Sequence, residues 1–396
     1  MEQINNNVIE QYFEKIGLEE ANDRDEFFKH IQAKYKIDLA QNLDMAMSLR
    51  SDTTNGKIYL AKNKDLETSL DFGAYYYDLY KQFFTWLVQN ENLDDKKILD
   101  LGCDNGIVTC FLATIYPNAK IVGIDKGKKG INCAKEIAEK LGLTNVSFEV
   151  LDAKKADKFF KDEKFDVVIS TRSLLEITKL PKIKSFWTID DLEKSLVVAN
   201  NVVKFFKSVE KVMADDAKLI TFERVSNFEE VLNFEKSMRE SGLYVDTKSM
   251  CKVQFFELGD YEQMPVMIFD KVKRDELGLY DFIEIYTTLP TLNKQTEIED
   301  DFAIDLEFKK IEGKELVFGT QIDYKNGAGS ERREVWKAND KFICYKYSNI
   351  GRREFITDVK DKDETIKDIR NMANFIGRMG HKVSEYNSEE ERNLIK

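Results

Sequence analysis

Residues 96–113, KKILDLGCDNGIVTCFLA, constrain the fold more than any other stretch of the chain. A short apolar run (Ile98, Leu99, Leu101) carries Asp100, then come Gly102 and Gly106, then a helical pattern. This reads as a strand, a tight turn and a helix. Glycine accepts the positive φ angles of such a turn and, lacking a Cβ, lets backbone approach a ligand closely. At the C-terminal edge of a parallel sheet, this is where α/β proteins bind cofactors.

At 396 residues the chain exceeds one ordinary core, so two or three domains are expected. Its 42% hydrophobic and 33% charged residues suit a globular chain. No apolar run reaches the roughly 18 residues that span a bilayer, so no membrane partner is expected. The start, MEQINNNVIEQYFEK, has neither a basic region nor an apolar core, unlike a secretory signal. The five cysteines, Cys103, Cys110, Cys133, Cys251 and Cys344, form no metal spacing. They read as small apolar residues of a reducing compartment, which predicts a cytoplasmic protein. Only two histidines occur, His30 and His381, both in charged contexts, and no metal is expected. A net charge of −12 argues against a large nucleic-acid surface.

From Lys97 onward, strand and helix patterns alternate. Ile98–Leu101, KIVGID (120–125), VSFEVLD (146–152), FDVVIST (165–171) and KLITFERV (218–225) read as five strands. Helices are expected between them, including one over 190–213 and another over 228–241. CKVQFFEL (251–258) and PVMIFDKV (265–272) read as a closing antiparallel pair. Such alternation predicts a parallel sheet with helices on both faces. Upstream, short helices are expected over residues 1–50, a polar break at SDTTNGK (51–57), and a long helix from Leu70 to Val88. Tyr75, Tyr76, Tyr77 and Tyr80 exceed what one buried face of that helix needs, and they read as core with snorkelling rings or as a lid over a ligand.

The pattern changes after Arg274. Residues 281–301 read as an irregular connector. Phe302, Ile304, Leu306 and Phe308 alternate with polar residues, the signature of a half-buried strand. Strand patterns follow at 315–324, 331–337, 341–347 and 353–359, then a helix from Lys362 to Met379, then a loosely ordered polar end. The expectation is an α+β antiparallel meander backed by one helix. Trp336, Tyr345 and Tyr347 stand beside Lys341, Lys346, Arg352 and Arg353, which reads either as a meander with one solvated face and one face packed on the helix or as a surface able to stack bases and hold phosphates. The same meander offers a surface for a homodimer.

Four signals converge on one sheet edge: the Gly102–Gly106 turn, Asp125 ending the second strand, Asp152 ending the third, and Ser170 with Thr171 ending the fourth. A carboxylate at Asp125 can take both hydroxyls of a ribose. A nucleoside lying across these loops is the economical reading. The later glycines of a dinucleotide fingerprint are missing, since Asp104 and Ile107 stand where they would be.

In these motifs, ILDLGCDNG, VGID, LDA and FDVVIS, and in their order, the chain resembles the class I S-adenosylmethionine-dependent methyltransferases over about residues 70–272. The resemblance implies a Rossmann-like seven-stranded sheet, mostly parallel with an antiparallel closing strand, and S-adenosyl-L-methionine as cofactor. It implies that Asp100, Gly102, Cys103 and Gly106 line the methionine and ribose side. Asp125 would hold the ribose, Asp152 and Ala153 would contact adenine, and Ser170 would face the methionine end. Asp104 departs from the family's usual glycine. Asp tolerates left-handed angles, and it adds a negative charge near a sulfonium ligand.

Methyl transfer gains much from holding nucleophile and methyl together, and a base is needed only if the acceptor must lose a proton early. Arg172 and Glu176 are the polar residues expected nearest the methyl, with Glu223 a weaker candidate. STRSLLEIT after the fourth strand lacks the motif of exocyclic amine methylation on nucleic acids. The expected organisation is a helical N-terminal region able to act as a lid (1–68), a methyltransferase domain (69–273), a connector (274–300) and an accessory domain (301–396). The expected acceptor is a small molecule. RNA or protein docked on the accessory domain is the alternative, and a non-catalytic binding protein the third.

Overall fold

The computed structural model describes residues 2–21, 23–35, 61–179, 185–196, 198–224, 228–257, 259–298, 300–327, 329–350 and 353–395. Nine strands form a first sheet: β1 (Lys97–Leu101), β2 (Lys120–Asp125), β3 (Val146–Val150), β4 (Phe165–Thr171), β5 (Met213–Phe222), β6 (Tyr244–Val245), β7 (Cys251–Glu257), β8 (Asp260–Asp270) and β9 (Thr291–Leu292). The order is β3-β2-β1-β4-β5-β8-β7-β9, with β6 paired to β8. β1 to β5 pair in parallel, and β8 runs antiparallel between β5 and β7. β7 therefore points the same way as β1 to β5, and its end lies on the same edge as theirs. This is the expected α/β sheet, with β6 and β9 added as two-residue strands.

Both faces are covered, as a parallel sheet requires. On one, helices Glu2–Ile16, Tyr77–Asn90, Ile107–Ile115 and Lys128–Lys140 join a core that includes Phe13, Phe84, Phe111 and Ile131. On the other, helices Asn200–Val212 and Phe228–Glu240 bury Phe206, Val209, Phe234 and Met238.

Five strands form a second, antiparallel sheet: β10 (Lys314–Asp323), β11 (Ser330–Ala338), β12 (Lys341–Ser348), β13 (Arg353–Val359) and β14 (Lys382–Tyr386), ordered β13-β12-β11-β10-β14. Helix Lys362–Arg378 covers one face through Ile366 and Ile369. The other face is covered too, against expectation. Ile304 and Phe308 of helix Asp301–Lys310 pack there on Trp336, Tyr345 and Tyr347.

Several expectations are corrected. Residues 302–308 are helical, not a strand: Asp300 caps the helix by accepting the Phe302 N–H at 3.0 Å. The alternation arises from two i,i+4 stripes. Phe302 and Leu306 join the first sheet's core, while Ile304 and Phe308 join the second's. The connector is largely structured, because helix Leu279–Thr287 buries Phe282, Ile283 and Tyr286. The helix at 70–88 is divided into Leu66–Gly73, a 3-10 turn Ala74–Tyr76 and Tyr77–Asn90. The tighter turn re-aims the tyrosines. The helix at 190–213 is likewise two, Ile189–Ser195 and Asn200–Val212, the first capped by Thr188. The polar end is ordered as β14 and helix Glu389–Leu394. Gly319 explains part of this, since a Cβ there would come 2.2 Å from the Tyr386 ring, which is fully buried. Helices Glu2–Ile16 and Arg24–Lys34 meet the upstream expectation, whereas residues 36–60, including the 51–57 break, lie outside the described residues.

Candidate functional site

The turn after β1 is pinned to β2: the Gly102 and Cys103 N–H groups both donate to the Ile124 carbonyl, at 2.8 and 3.0 Å. Gly102, Asp104 and Gly106 all take positive φ, +72°, +47° and +78°. Asp104 thus adopts the left-handed angles its position demands. The glycines are required by protein neighbours. A Cβ on Gly106 would lie 2.5 Å from that of Ala134, so this glycine lets helix Ile107–Ile115 approach helix Lys128–Lys140. A Cβ on Gly102 would lie 2.4 Å from that of Ser173. Ser173, donating to the Leu101 carbonyl at 2.6 Å, fills the space that the sequence reading reserved for a ligand. Beneath the turn, Asp100 is buried and accepts the Thr109 hydroxyl at 2.6 Å. Burial pushes its carboxyl up to about 7, against the Thr109 bond and helped by the charge of Asp125. Burial also pushes the Cys103 thiol far up, which leaves it inert as a nucleophile.

Asp125 ends β2 half-buried. One oxygen accepts the Gly127 N–H at 2.6 Å, and the other the Asp104 N–H at 3.3 Å. Burial raises its carboxyl and the Gly127 bond opposes the rise. A carboxylate has about four acceptor sites, so two remain for a diol. Asp152 is exposed after β3 and accepts the Lys154 N–H at 3.0 Å, while Ala153 beside it is buried.

The segment just before helix Leu66–Gly73 closes over this turn, which the sequence reading missed. Lys62 Nζ and Asn63 Nδ2 each lie 2.5 Å from an Asp104 carboxylate oxygen. Ser69 donates to Asn63 at 2.8 Å, and Asn105 donates to Ser69 at 2.8 Å. Burial works against the Lys62 charge, but the Asp104 carboxylate beside it holds its ammonium firmly protonated. The charge of Asp104 is therefore matched. The one signal in the sequence was Asp104 itself, a carboxylate in the turn that calls for a partner.

At the ends of β4 and β5, Glu223 is fully buried. Its Oε1 accepts the Ser170 hydroxyl at 2.7 Å and the N–H groups of Leu174 and Ser173 at 3.2 and 3.4 Å. Among the described residues its Oε2 has no hydrogen-bond partner, and neither has Thr171 Oγ1 or Glu257 Oε1 nearby on the same edge. Burial pushes the Glu223 carboxyl up to about 7, opposed by the Ser170 hydroxyl and by backbone N–H groups. Ser170 is thus occupied with Glu223 and, at 2.7 Å, with Ser173. Between these anchors Arg172 takes φ +57°, and its guanidinium lies 4.0 Å from the centre of the Tyr76 ring. Glu176 is exposed in the first turn of helix Leu174–Thr178. Of the acids expected near the methyl, Glu223 is the buried one and Glu176 is not.

The second sheet does not present its aromatics. Trp336, Tyr345 and Tyr347 are 3 to 4% exposed beneath helix Asp301–Lys310, so they cannot stack bases. Lys346 is also buried, 3.5 Å from Glu331. Arg352 and the side chain of Arg353 lie outside the described residues. Among the described residues no group of His, Cys, Asp and Glu could hold a metal, and no helix is long and apolar enough to cross a membrane.

The family model of a methyltransferase domain matches residues 92–254. The chain is 31% identical over 98 residues to (S)-tetrahydroprotoberberine N-methyltransferase of Eschscholzia californica, covering 25% of this chain and 28% of that protein. It is 30% identical over 127 residues to release factor glutamine methyltransferase of Buchnera aphidicola, covering 31% and 44%. It is 32% identical over 83 residues to ribosomal RNA small subunit methyltransferase G of Mycoplasma capricolum, covering 21% and 35%. The chain thus spans less than half the length of each of these relatives. Their names give three different classes of acceptor.

Proposed function

We propose that this chain, whose residues 92–254 belong to the class I S-adenosylmethionine-dependent methyltransferase family, transfers methyl groups to a small-molecule acceptor. The observation that carries this reading is the make-up of the acceptor side of the edge. Glu223 and Glu257 are buried there at strand ends, and the half-buried Arg172 lies over the Tyr76 ring. The aromatics that would grip a nucleic acid are inside the second sheet. The net charge of −12 supports the same choice.

The donor set fits S-adenosylmethionine. Asp125 keeps acceptor capacity for the ribose hydroxyls, Asp152 and Ala153 flank the adenine position, and the 102–106 turn with Asp100 beneath it borders the ribose and methionine. The cofactor supplies a methyl group activated by its sulfonium. Asp104 adds no net charge against it, because Lys62 matches it. The segment carrying Lys62 and Asn63 serves as the lid. Ser173 must give way, or the methionine must pass beside it. Glu223 is a positioning residue: it grips residues on both sides of Arg172 and so sets where that guanidinium stands. The setting proposed is cytoplasmic, in keeping with five free cysteines.

The test is calorimetric titration with S-adenosylmethionine and S-adenosylhomocysteine, followed by labelling of a fractionated extract with radioactive cofactor. Saturable binding and label in the low-mass fraction are expected. Absence of binding to either ligand overturns the family's chemistry here. Label confined to RNA or protein overturns the small-molecule reading.

A further inference from the structure

A cleft of about 320 Å³ opens at the same edge as the cofactor turn, beyond β7. Tyr75, Tyr77, Phe256 and Tyr261 form its apolar walls, and Glu20 and Asp78 line it with carboxylates. No lysine or arginine among the described residues lines it. Its volume matches small-ligand sites.

The cleft adjoins the methyl-transfer side through one turn. In the 3-10 turn Ala74–Tyr76, Ala74 and Tyr75 face the cleft, and the next ring, Tyr76, stacks on Arg172 at the end of β4. The two rings lie 4.9 Å apart, edge to face. The turn is thus a wall with the cleft on one side and the Arg172 side of the strand edge on the other.

The electrostatics select a charge. Asp78 accepts the Phe256 N–H at 2.6 Å and the Gln82 amide at 2.8 Å, which leaves acceptor capacity on both oxygens. Burial raises the Tyr77 phenol, and of the charges around it Glu20, Glu10 and Asp78 add to the rise while Lys81 opposes it. Lys81 is itself held by Glu10 at 3.0 Å. Around Tyr77 three carboxylates stand against one paired ammonium; around Tyr75, Arg24 and Arg224 oppose Glu257, so the excess of negative charge lies on the Tyr77, Glu20 and Asp78 side of the cleft. A cation above a ring face gains further from the ring quadrupole.

We infer that this cleft is a binding site for a small arylalkylamine, held as its ammonium between the tyrosine rings and the carboxylates of Glu20 and Asp78, and set apart from the point of methyl transfer by the Ala74–Tyr76 turn.

The experiment titrates the full chain with 2-phenylethylamine and with 3-phenylpropionate, which share a ring and differ in charge. Binding is followed by ligand-observed NMR at low salt, and S-adenosylhomocysteine is titrated in parallel. The amine is expected to bind about tenfold tighter than the carboxylate. In the Glu20→Gln, Asp78→Asn double variant that preference disappears while affinity for S-adenosylhomocysteine is kept. Because Asp78 also holds the Phe256 N–H, Glu20→Gln and Tyr261→Ala alone, both at exposed positions, serve as second variants and each weakens the amine severalfold. Equal binding of the two probes, no binding of the amine, or a preference that survives every variant overturns the inference. Amine binding without S-adenosylhomocysteine binding would leave the cleft standing as a cation site and remove the methyltransferase reading.

Discussion

Glu223 at the edge of the first sheet and Glu334 inside the second are both fully buried glutamates, and they are treated in opposite ways. Glu334 has a partner on each oxygen. Oε1 accepts the hydroxyls of Tyr386 at 2.8 Å and Tyr347 at 3.0 Å, with Arg392 at 3.4 Å, and Oε2 accepts the Trp336 indole N–H at 3.0 Å. Glu223 loads one oxygen and, among the described residues, leaves the other with no partner. Burying a carboxylate is costly unless its acceptor sites are filled. The filled one is a structural post for the accessory sheet. The half-filled one sits where the chemistry is expected, and the cost is tolerated there. A buried charge by itself therefore says little about function, and its unfilled bonds say more.

The largest effect should come from breaking the filled network. Glu334→Ala strands two phenols, an indole and Arg392, and should cost about 3–5 kcal/mol of stability. Urea unfolding should show the loss, while S-adenosylhomocysteine binding in the folded fraction stays intact. A loss under about 1 kcal/mol would mean that the network is not what holds the second sheet. Next comes Asp125→Ala, which removes a carboxylate that still has capacity to accept. We expect roughly 1–3 kcal/mol of cofactor affinity to go. Unchanged affinity by calorimetry, in a folded variant, would end the ribose assignment.

Legibility followed the same division. The parallel strands were readable because each is a short apolar run bounded by a turn, and the Asp125 and Asp152 positions came with them. Where one stretch serves two cores, the pattern misled. Phe302, Ile304, Leu306 and Phe308 alternate like a strand because two helical stripes face two sheets. The capping signal at Asp300 was present and outweighed. Tyr386 was invisible because its partner space is the missing side chain of Gly319, far away in sequence. Lys62 lay between the polar break at 51–57 and the helix expected from Leu70, where no pattern marked it. Glu223 looked minor because nothing local shows that it caps a helix some fifty residues earlier. The aromatic-basic run near Trp336 had the composition of a nucleic-acid surface, but composition carries no information about which face of a strand is covered.

Glu223→Gln sharpens the contrast through pH. The folded-state value of about 7 stands above the ordinary 4.5, so the folded state binds this proton more tightly than the unfolded state. Its contribution to stability is whole below about 4.5 and is lost as pH rises through about 7. Glutamine cannot ionise, keeps an acceptor for Ser170 and the N–H groups, and should flatten the pH dependence by at most ~1.4 kcal/mol per pH unit. Asp100, raised to about 7 in the same way, leaves a residual slope. Urea midpoints at about pH 5 and about pH 8 measure the change, and a slope equal to wild type would mean that the unpartnered oxygen carries no cost.

The smallest effect concerns the matched charge of Asp104. Lys62→Met leaves that carboxylate without its ammonium beside the expected sulfonium. S-adenosylmethionine carries the positive sulfur and S-adenosylhomocysteine does not, so their affinity ratio isolates the charge from any loss of lid packing. At a partly exposed site (Lys62 is 18% exposed and Asp104 26%) the gain should be modest. It should amount to ~0.5–1 kcal/mol, about two- to fivefold in favour of the charged ligand. An unchanged ratio would place the sulfonium far from Asp104. The residue that departs from the family's glycine would then be a hinge for the lid alone, and the cofactor edge would keep its open bonds only around Asp125 and Glu223.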